Sequence, residues 1–196
     1  MEKINFIKTF IPKGDFNEKY EHGGMIVRHL AAVLDEKMGA YECYECTVPI
    51  GEYDEGEIQK AFAEFSVKMD ALKLKQAKVD KIAEIAAYDT SSSVNGFVLN
   101  GLLVWLDKAT RVGLMNSTTI AKASGQETTT LWLGGMKLVV DCDKAIQLLS
   151  ALEMYALECF NVTASHKHAV SELTTIEEVE AYDYKAGYPK MLAMSV

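Results

Sequence analysis

The sequence predicts an α+β fold: a long helix followed by two β-hairpin–helix units, whose strands form a small antiparallel sheet packed on helices. Three observations predict it. Apolar side chains recur at alternating spacings of four and three from Ile58 to Ala86, the signature of one helix face. Two pairs of short apolar runs flank Asn100-Gly101 and Gly134-Gly135, dipeptides that tolerate the positive φ angles of a tight type I′ hairpin. Each pair is followed by an aspartate and a helix-patterned stretch, Asp107-Lys108-Ala109 and Asp143-Lys144-Ala145. This repetition suggests an internal β–β–α duplication.

Residues 1–53 read as a small strand–helix–strand segment. Ile4 to Ile11 is short, apolar and stopped by Pro12-Lys13-Gly14, which predicts a strand. Met25 to Met38 places Ile26, Leu30, Val33 and Leu34 at helical spacing before Gly39, which predicts a helix. Tyr41 to Val48 alternates and meets Pro49, which predicts a second strand. A segment this short buries too little surface to stand alone, so it packs on the rest.

Residues 54–88 form the long helix, opened by Asp54-Glu55-Gly56-Glu57 at its positive end. Its seam of Ile58, Phe62, Phe65, Met69, Leu72 and Val79, interrupted by Gln76, fits two uses. It can zip to a second copy as a coiled coil, giving a homo-oligomer, or pack on helices of its own chain. Residues 89–196 form a hairpin–helix–hairpin–helix domain with a short terminal helix. Phe97–Leu99 and Leu102–Leu106 are apolar on both faces and predict a hairpin covered on both sides. Thr129–Leu133 and Met136–Val140 alternate more. Asp107 suits the first helix as a cap, and Asp141 or Asp143 the second. The first helix carries Val112, Met115 and Ile120 and stops at Gly125. The second carries Ile146, Leu149, Leu152, Met154, Tyr155 and Cys159. Thr174…Glu177 or Thr175…Glu178 has capping-box spacing for the last helix.

Composition excludes several functions. Hydrophobic residues make up 49% of the 196, enough for a sizeable core. The 28 acidic against 20 basic residues give a net charge of −8, which disfavours phosphate backbones, so no nucleic-acid partner is expected. The lysines between Lys68 and Lys81 alternate with acids as a solvated helix face. No apolar run reaches membrane-spanning length, and the charged start Met1 to Lys8 does not read as a leader. The expectation is a cytoplasmic protein without membrane contact.

Candidate chemistry is sparse. Cys43-Tyr44-Glu45-Cys46 has C-x-x-C spacing, but a strand would turn the two thiols to opposite faces, and no second ligand pair accompanies them. His166 and His168 fall on opposite sides of a helix, and Cys159 lies about two turns (~10 Å) from His166. No nucleophile elbow, phosphate loop or dinucleotide fingerprint is present. No catalytic, metal or cofactor site is therefore assigned, and no cofactor is expected. Trp105 and Trp132, in corresponding hairpin strands, read as core side chains. Arg111, one turn into the first helix, reads as an exposed arginine; were it buried, it would demand Asp89 or another carboxylate as partner. A small ligand-binding module or enzyme with a pocket near Trp105, Arg111 and Trp132 is the alternative to a non-enzymatic role.

Ala87-Tyr88-Asp89-Thr90-Ser91-Ser92, Val94-Asn95, Trp105-Leu106-Asp107-Lys108-Ala109-Thr110-Arg111, Thr129-Thr130-Leu131-Trp132 and Tyr155-Ala156 form a specific pattern. It continues through Leu173-Thr174-Thr175, Glu180-Ala181-Tyr182-Asp183-Tyr184 and Gly187-Tyr188-Pro189. Over roughly Asp54 to Leu192 the chain resembles a domain of unknown function found in bacteriophages and in prophages of Bacteroides-type gut bacteria. The resemblance implies a non-enzymatic structural or tail-assembly accessory protein. Such a protein would act through contacts with other phage proteins, in the host cytoplasm or associated with the virion. It supplies no functional residues to transfer.

Overall fold

A computed structural model of the chain describes residues 4–196; the charged opening Met1–Lys3 lies outside the described residues. The chain divides into two compact units, Met1–Lys73 and Leu74–Val196, and the long helix α1 (Glu55–Asp89) contributes to both. The architecture is mixed α and β throughout.

In the N-terminal unit, β1 (Ile7–Pro12), β2 (Lys19–His22), β3 (Met25–Asp35) and β4 (Ala40–Pro49) form one antiparallel sheet ordered β1-β4-β3-β2. The helix expected over Met25 to Met38 is therefore a strand. Its helical spacing has a specific cause. Ile26 and Leu30 share a face by strand alternation. The register then slips between Leu30 and Val33, around Ala31 at φ 51, so Val33 returns to the same face three residues on. A bulge inside a period-2 strand thus mimics a period-3.6 pattern. The Gly23-Gly24 turn, with φ 57 and 78, closes β2 onto β3 with the geometry a two-residue hairpin needs. One face of the sheet packs on the first half of α1: Leu30, Cys46 and Val48 are buried with Ile58, flanked by Ile4, Phe6, Ile26, Tyr53 and Phe62. Asp54 and Glu57 cap the helix reciprocally, at 2.8 and 3.0 Å.

In the C-terminal unit, a short α2 (Ser92–Asn95) leads into β5 (Gly96–Leu99) and β6 (Leu102–Trp105). Asn100 at φ 50 and Gly101 at φ 82 form the expected turn. Then follow α3 (Lys108–Ala123), β7 (Thr128–Leu133), β8 (Met136–Asp141), α4 (Cys142–Glu172), α5 (Ile176–Ala181) and β9 (Ala193–Met194). The two hairpins stand as separate sheets. β7 and β8 pair alone, whereas β9 adds in parallel to the free edge of β5. Asp107 caps α3 through the Thr110 amide at 2.9 Å. Asp141 rather than Asp143 caps α4, leaving Asp143 to pair with Lys122. Thr175 and Glu178 make the full capping box of α5.

The main core of this unit gathers Phe97, Leu99, Val104, Leu131, Leu133, Val140, Leu149 and Leu152 from both hairpins and α4. A smaller cluster sets Ile85, Leu74, Ala77 and Ile82 of α1 against Val170 and Val179. Expectations for the helix faces need correction. On α3 the inward stripe is Arg111 and Thr118, buried, with Met115 half-buried between them at spacings of four and three, while Val112 and Ile120 are exposed. Met154 of α4 is exposed as well. The outer face of the first hairpin is not covered: Leu103 and Trp105 are exposed while Val104, on the opposite face, points into the core; Leu102, at the turn end of β6, is exposed too.

Candidate functional site

Arg111 is buried, 8% exposed, which corrects the expectation of an exposed arginine: its guanidinium finds partners on a neighbouring helix and on the preceding connection. Its Nε donates to Glu153 Oε1 of α4 at 2.9 Å, and its Nη1 donates to the Leu106 carbonyl oxygen at 2.8 Å. The partner is thus Glu153 and not Asp89, whose carboxylate accepts the Thr163 hydroxyl at 2.8 Å. One side chain joins α3 to α4 and satisfies a carbonyl of the β6–α3 connection. Trp105 and Trp132 do not share that environment. They are 41% and 60% exposed, which corrects the expectation that they belong to the core. Strand alternation explains this: Val104, Leu131 and Leu133 take the inward positions, and the neighbouring tryptophans face out.

The seam of α1 is used unevenly. In the N-terminal unit Ile58 is buried, Phe62 contacts Phe6 edge-on at 5.6 Å, and Phe65 lies 5.0 Å from Phe6 and 5.1 Å from Tyr44. Met69 is half-buried. In the C-terminal unit the helix buries Ile85 and half-buries Leu74, Ala77 and Ile82 instead. The five-residue step from Met69 to Leu74 breaks the heptad register, and it leaves Leu72 and Val79 about half exposed.

A buried polar array escaped the sequence reading. Thr163 of α4 is 2% exposed and has a single hydroxyl hydrogen, which goes to Asp89; Tyr188 must then donate to Thr163 Oγ1, at 2.8 Å. His166 Nε2 faces the Ala186 carbonyl at 2.9 Å and therefore carries hydrogen, so in the neutral ring Nδ1 accepts from Tyr182, 2.8 Å away. Tyr155 donates to the Val94 carbonyl at 2.7 Å, and Cys159 shares that acceptor at 3.4 Å. These bonds fasten the chain after α5, and the α2 turn, onto α4. Their chemistry is that of a clasp. Burial pushes the Tyr155 phenol up to about 12, and raises Tyr188 and the Cys159 thiol, so all three stay protonated at neutral pH. The available signals were Tyr88-Asp89 and the tyrosines at 182, 184 and 188, but no local spacing announces contacts 74 and 25 residues apart.

The cysteines of C-x-x-C are both buried, and burial raises both thiols. That opposes the thiolate a redox or ligating cysteine requires. Among the described residues no group of three His, Cys, Asp or Glu side chains could hold a metal ion. No helix among them is long and apolar enough to cross a membrane.

What the C-terminal unit does present is apolar surface. Met154, Leu157 and Phe160 stand exposed three apart on α4, and Trp132 and Val139 stand on the outer face of β7 and β8. Leu102, Leu103 and Trp105 add to this on β6. Where such groups are contiguous they mark a surface that meets another protein; on α4, Met154, Leu157 and Phe160 follow one another at spacings of three.

Residues 76–186 match the model of a family described as a domain of unknown function (DUF4376). The matched span lies inside the C-terminal unit and covers the Arg111–Glu153 pair, the Thr163–Asp89 contact and the exposed residues of α4. No curated protein and no solved structure matches the chain significantly.

Proposed function

The chain belongs to the DUF4376 family of domains of unknown function, and within it we propose a non-enzymatic role: an accessory protein of a phage or prophage, of the structural or tail-assembly kind, that works through protein–protein contacts. The observation that carries the contact reading is the exposed apolar set of the C-terminal unit, above all Met154, Leu157 and Phe160 on α4. The phage setting rests on the sequence resemblance described above. The polar side chains that could have served chemistry are engaged elsewhere: Arg111 with Glu153 and Leu106, Thr163 with Asp89 and Tyr188, His166 with Tyr182 and Ala186. Self-association draws on less of α1 than the spacing implied, since only Leu72 and Val79 of the proposed seam residues are largely exposed.

The test is affinity purification of the tagged chain from lysogenic cells after prophage induction, beside a Leu157→Lys/Phe160→Ser double variant. Tail proteins that co-purify with the wild type and are lost with the variant support the reading. Recovery of a metabolic enzyme, or of tail proteins equally with both, overturns it. Sizing with light scattering on the purified chain separates homo-oligomer from hetero-complex.

A further inference from the structure

The outward face of α4 carries a pattern that extends beyond its three large apolar side chains. From Gln147 to Ser171, every position at alternating steps of three and four is exposed, and none is an acid, a lysine or an arginine. Charged residues make up 24% of the chain, yet this exposed stripe runs roughly 40 Å without one. Met154 and Leu157 lie on it, with Phe160 at its flank. We propose that this face pairs α4 with α4 of a second copy of the chain, antiparallel and in full overlap. The proposal rests on the reading of Met154, Leu157 and Phe160 as a contact surface, and it names their occupant.

The charges at the two ends of α4 point to a second copy. Lys144 lies in the first turn and Glu172 in the last, and both are exposed. Each has the sign that the dipole of its own helix disfavours at that end. An antiparallel copy sets each of them beside the opposite charge and the opposite dipole end.

The flanking charges select the same arrangement. Heptad spacing lets two such stripes interlock, and in an antiparallel pair flanking positions on the same side of the seam meet. Full overlap sets Gln147 against the partner's Ser171, Met154 against the partner's Ala164 and Leu157 against the partner's Asn161. Lys144 then comes to the partner's Glu172, and Glu153 to the partner's Lys167, each twice by symmetry; Glu158 meets its own copy. Four attractions stand against one repulsion. A parallel pair has two of each, Lys167 with the partner's Glu172 and Glu153 with the partner's Glu158. In the antiparallel pair Leu157 and Phe160 surround the two-fold axis, uncharged polar side chains lie further out, and the ion pairs Lys144–Glu172 close the ends. An apolar centre inside a polar rim is the build of a protein interface. The apolar centre is small beside the ~800 Å² per partner of a standard interface, so the pair is a reversible one.

Sedimentation velocity on the full chain, over a dilution series, reads the dissociation constant. Lys144→Glu and Glu172→Lys each turn two attractions into repulsions and should weaken pairing about tenfold, and the double variant should restore it. Both changes suit the dipole of their own helix, so neither acts by unfolding it. Glu158→Gln should tighten the pair about twofold and Glu172→Gln should weaken it about fivefold, although each removes one negative charge. A wild type that stays monomeric at its highest soluble concentration overturns the proposal. So does a dimer indifferent to K144E and E172K, a double variant weaker than either single one, or E158Q and E172Q moving in the same direction. The two readings fail separately. A monomer that still captures tail proteins, and loses them with the Leu157→Lys/Phe160→Ser variant, refutes self-pairing alone. A dimer of this register that captures none refutes the phage role and upholds the pair.

Discussion

Replacing Arg111 separates a structural arginine from a ligand-binding one. Arg111→Met keeps most of the aliphatic stem and so preserves its packing. It removes two bonds: the pair with Glu153 at 2.9 Å and the bond to the Leu106 carbonyl at 2.8 Å. The Glu153 side chain is 35% exposed, so its carboxylate rehydrates at little cost. The Leu106 carbonyl loses its partner inside a buried bond, which costs about 1–3 kcal/mol. The reciprocal change, Glu153→Ala, leaves the guanidinium charge unpaired where it is only 9% exposed. Breaking a fully buried pair costs about 3–5 kcal/mol. The partial exposure of Glu153 lets water reach this one, so about 2–3 kcal/mol is expected. Glu153→Gln still offers an oxygen to Nε and should cost under about 1 kcal/mol. Urea unfolding followed by tryptophan fluorescence suits the question, because both tryptophans, Trp105 and Trp132, lie in the same unit as the pair. The expected order of loss is E153A at least equal to R111M, with E153Q well below both. A loss under about 0.5 kcal/mol for both R111M and E153A would refute the reasoning, because Arg111 would then be free to serve a ligand.

Three further outcomes are expected. Thr118 is fully buried on α3 and its hydroxyl has no partner among the described residues, so the isosteric Thr118→Val should raise stability by about 1–2 kcal/mol in the same urea assay. The Tyr155 phenol, raised by burial from 10 to about 12, stays neutral in the folded state over a range where it ionises in the unfolded one. Its contribution to stability is therefore complete below pH 10 and is lost as pH rises from 10 towards 12. Absorbance titration should show the remaining tyrosines ionising first, and Tyr155→Phe should flatten this stretch of the stability profile. On α1, Phe65→Glu should cost about 2–4 kcal/mol in far-UV circular dichroism melts, because it sets a charge among the Phe6 and Tyr44 rings. Leu72→Glu should leave monomer stability within about 0.5 kcal/mol, and it should lower the mass in light scattering if copies pair through the exposed part of the seam.

Local signals were legible where the cause of structure is local. Asn100-Gly101 and Gly134-Gly135 are turns because both central residues of each take positive φ. Asp107 and Thr175 cap helices because their side chains accept amides three residues on. That Cys43 and Cys46 sit on a strand with their side chains on opposite faces was legible too, since positions three apart on a strand alternate. β3 was misread because a bulge at Ala31 gave a strand the same-face spacing of a helix, and nothing in its own residues reveals a register slip. The tryptophans were misread because hydrophobicity alone does not say which face of a short strand is covered.

By itself, then, the sequence determined the two hairpins of the C-terminal unit, the helices that follow them and their turns, because each depends on residues close in the chain; it did not reveal the short α2, the strand β9 or which aspartate caps α4. Only the tertiary structure decided which faces are used. Arg111 found Glu153, 42 residues away, Asp89 found Thr163, 74 residues away, and His29 found Glu45 across a strand pair. Such partners are chosen by the packing of whole elements, and that choice also left Met154, Leu157, Phe160 and Trp132 on the outside. The physical reason is that a helix or strand carries its periodicity in its own residues, whereas the side it buries depends on what the rest of the chain brings against it.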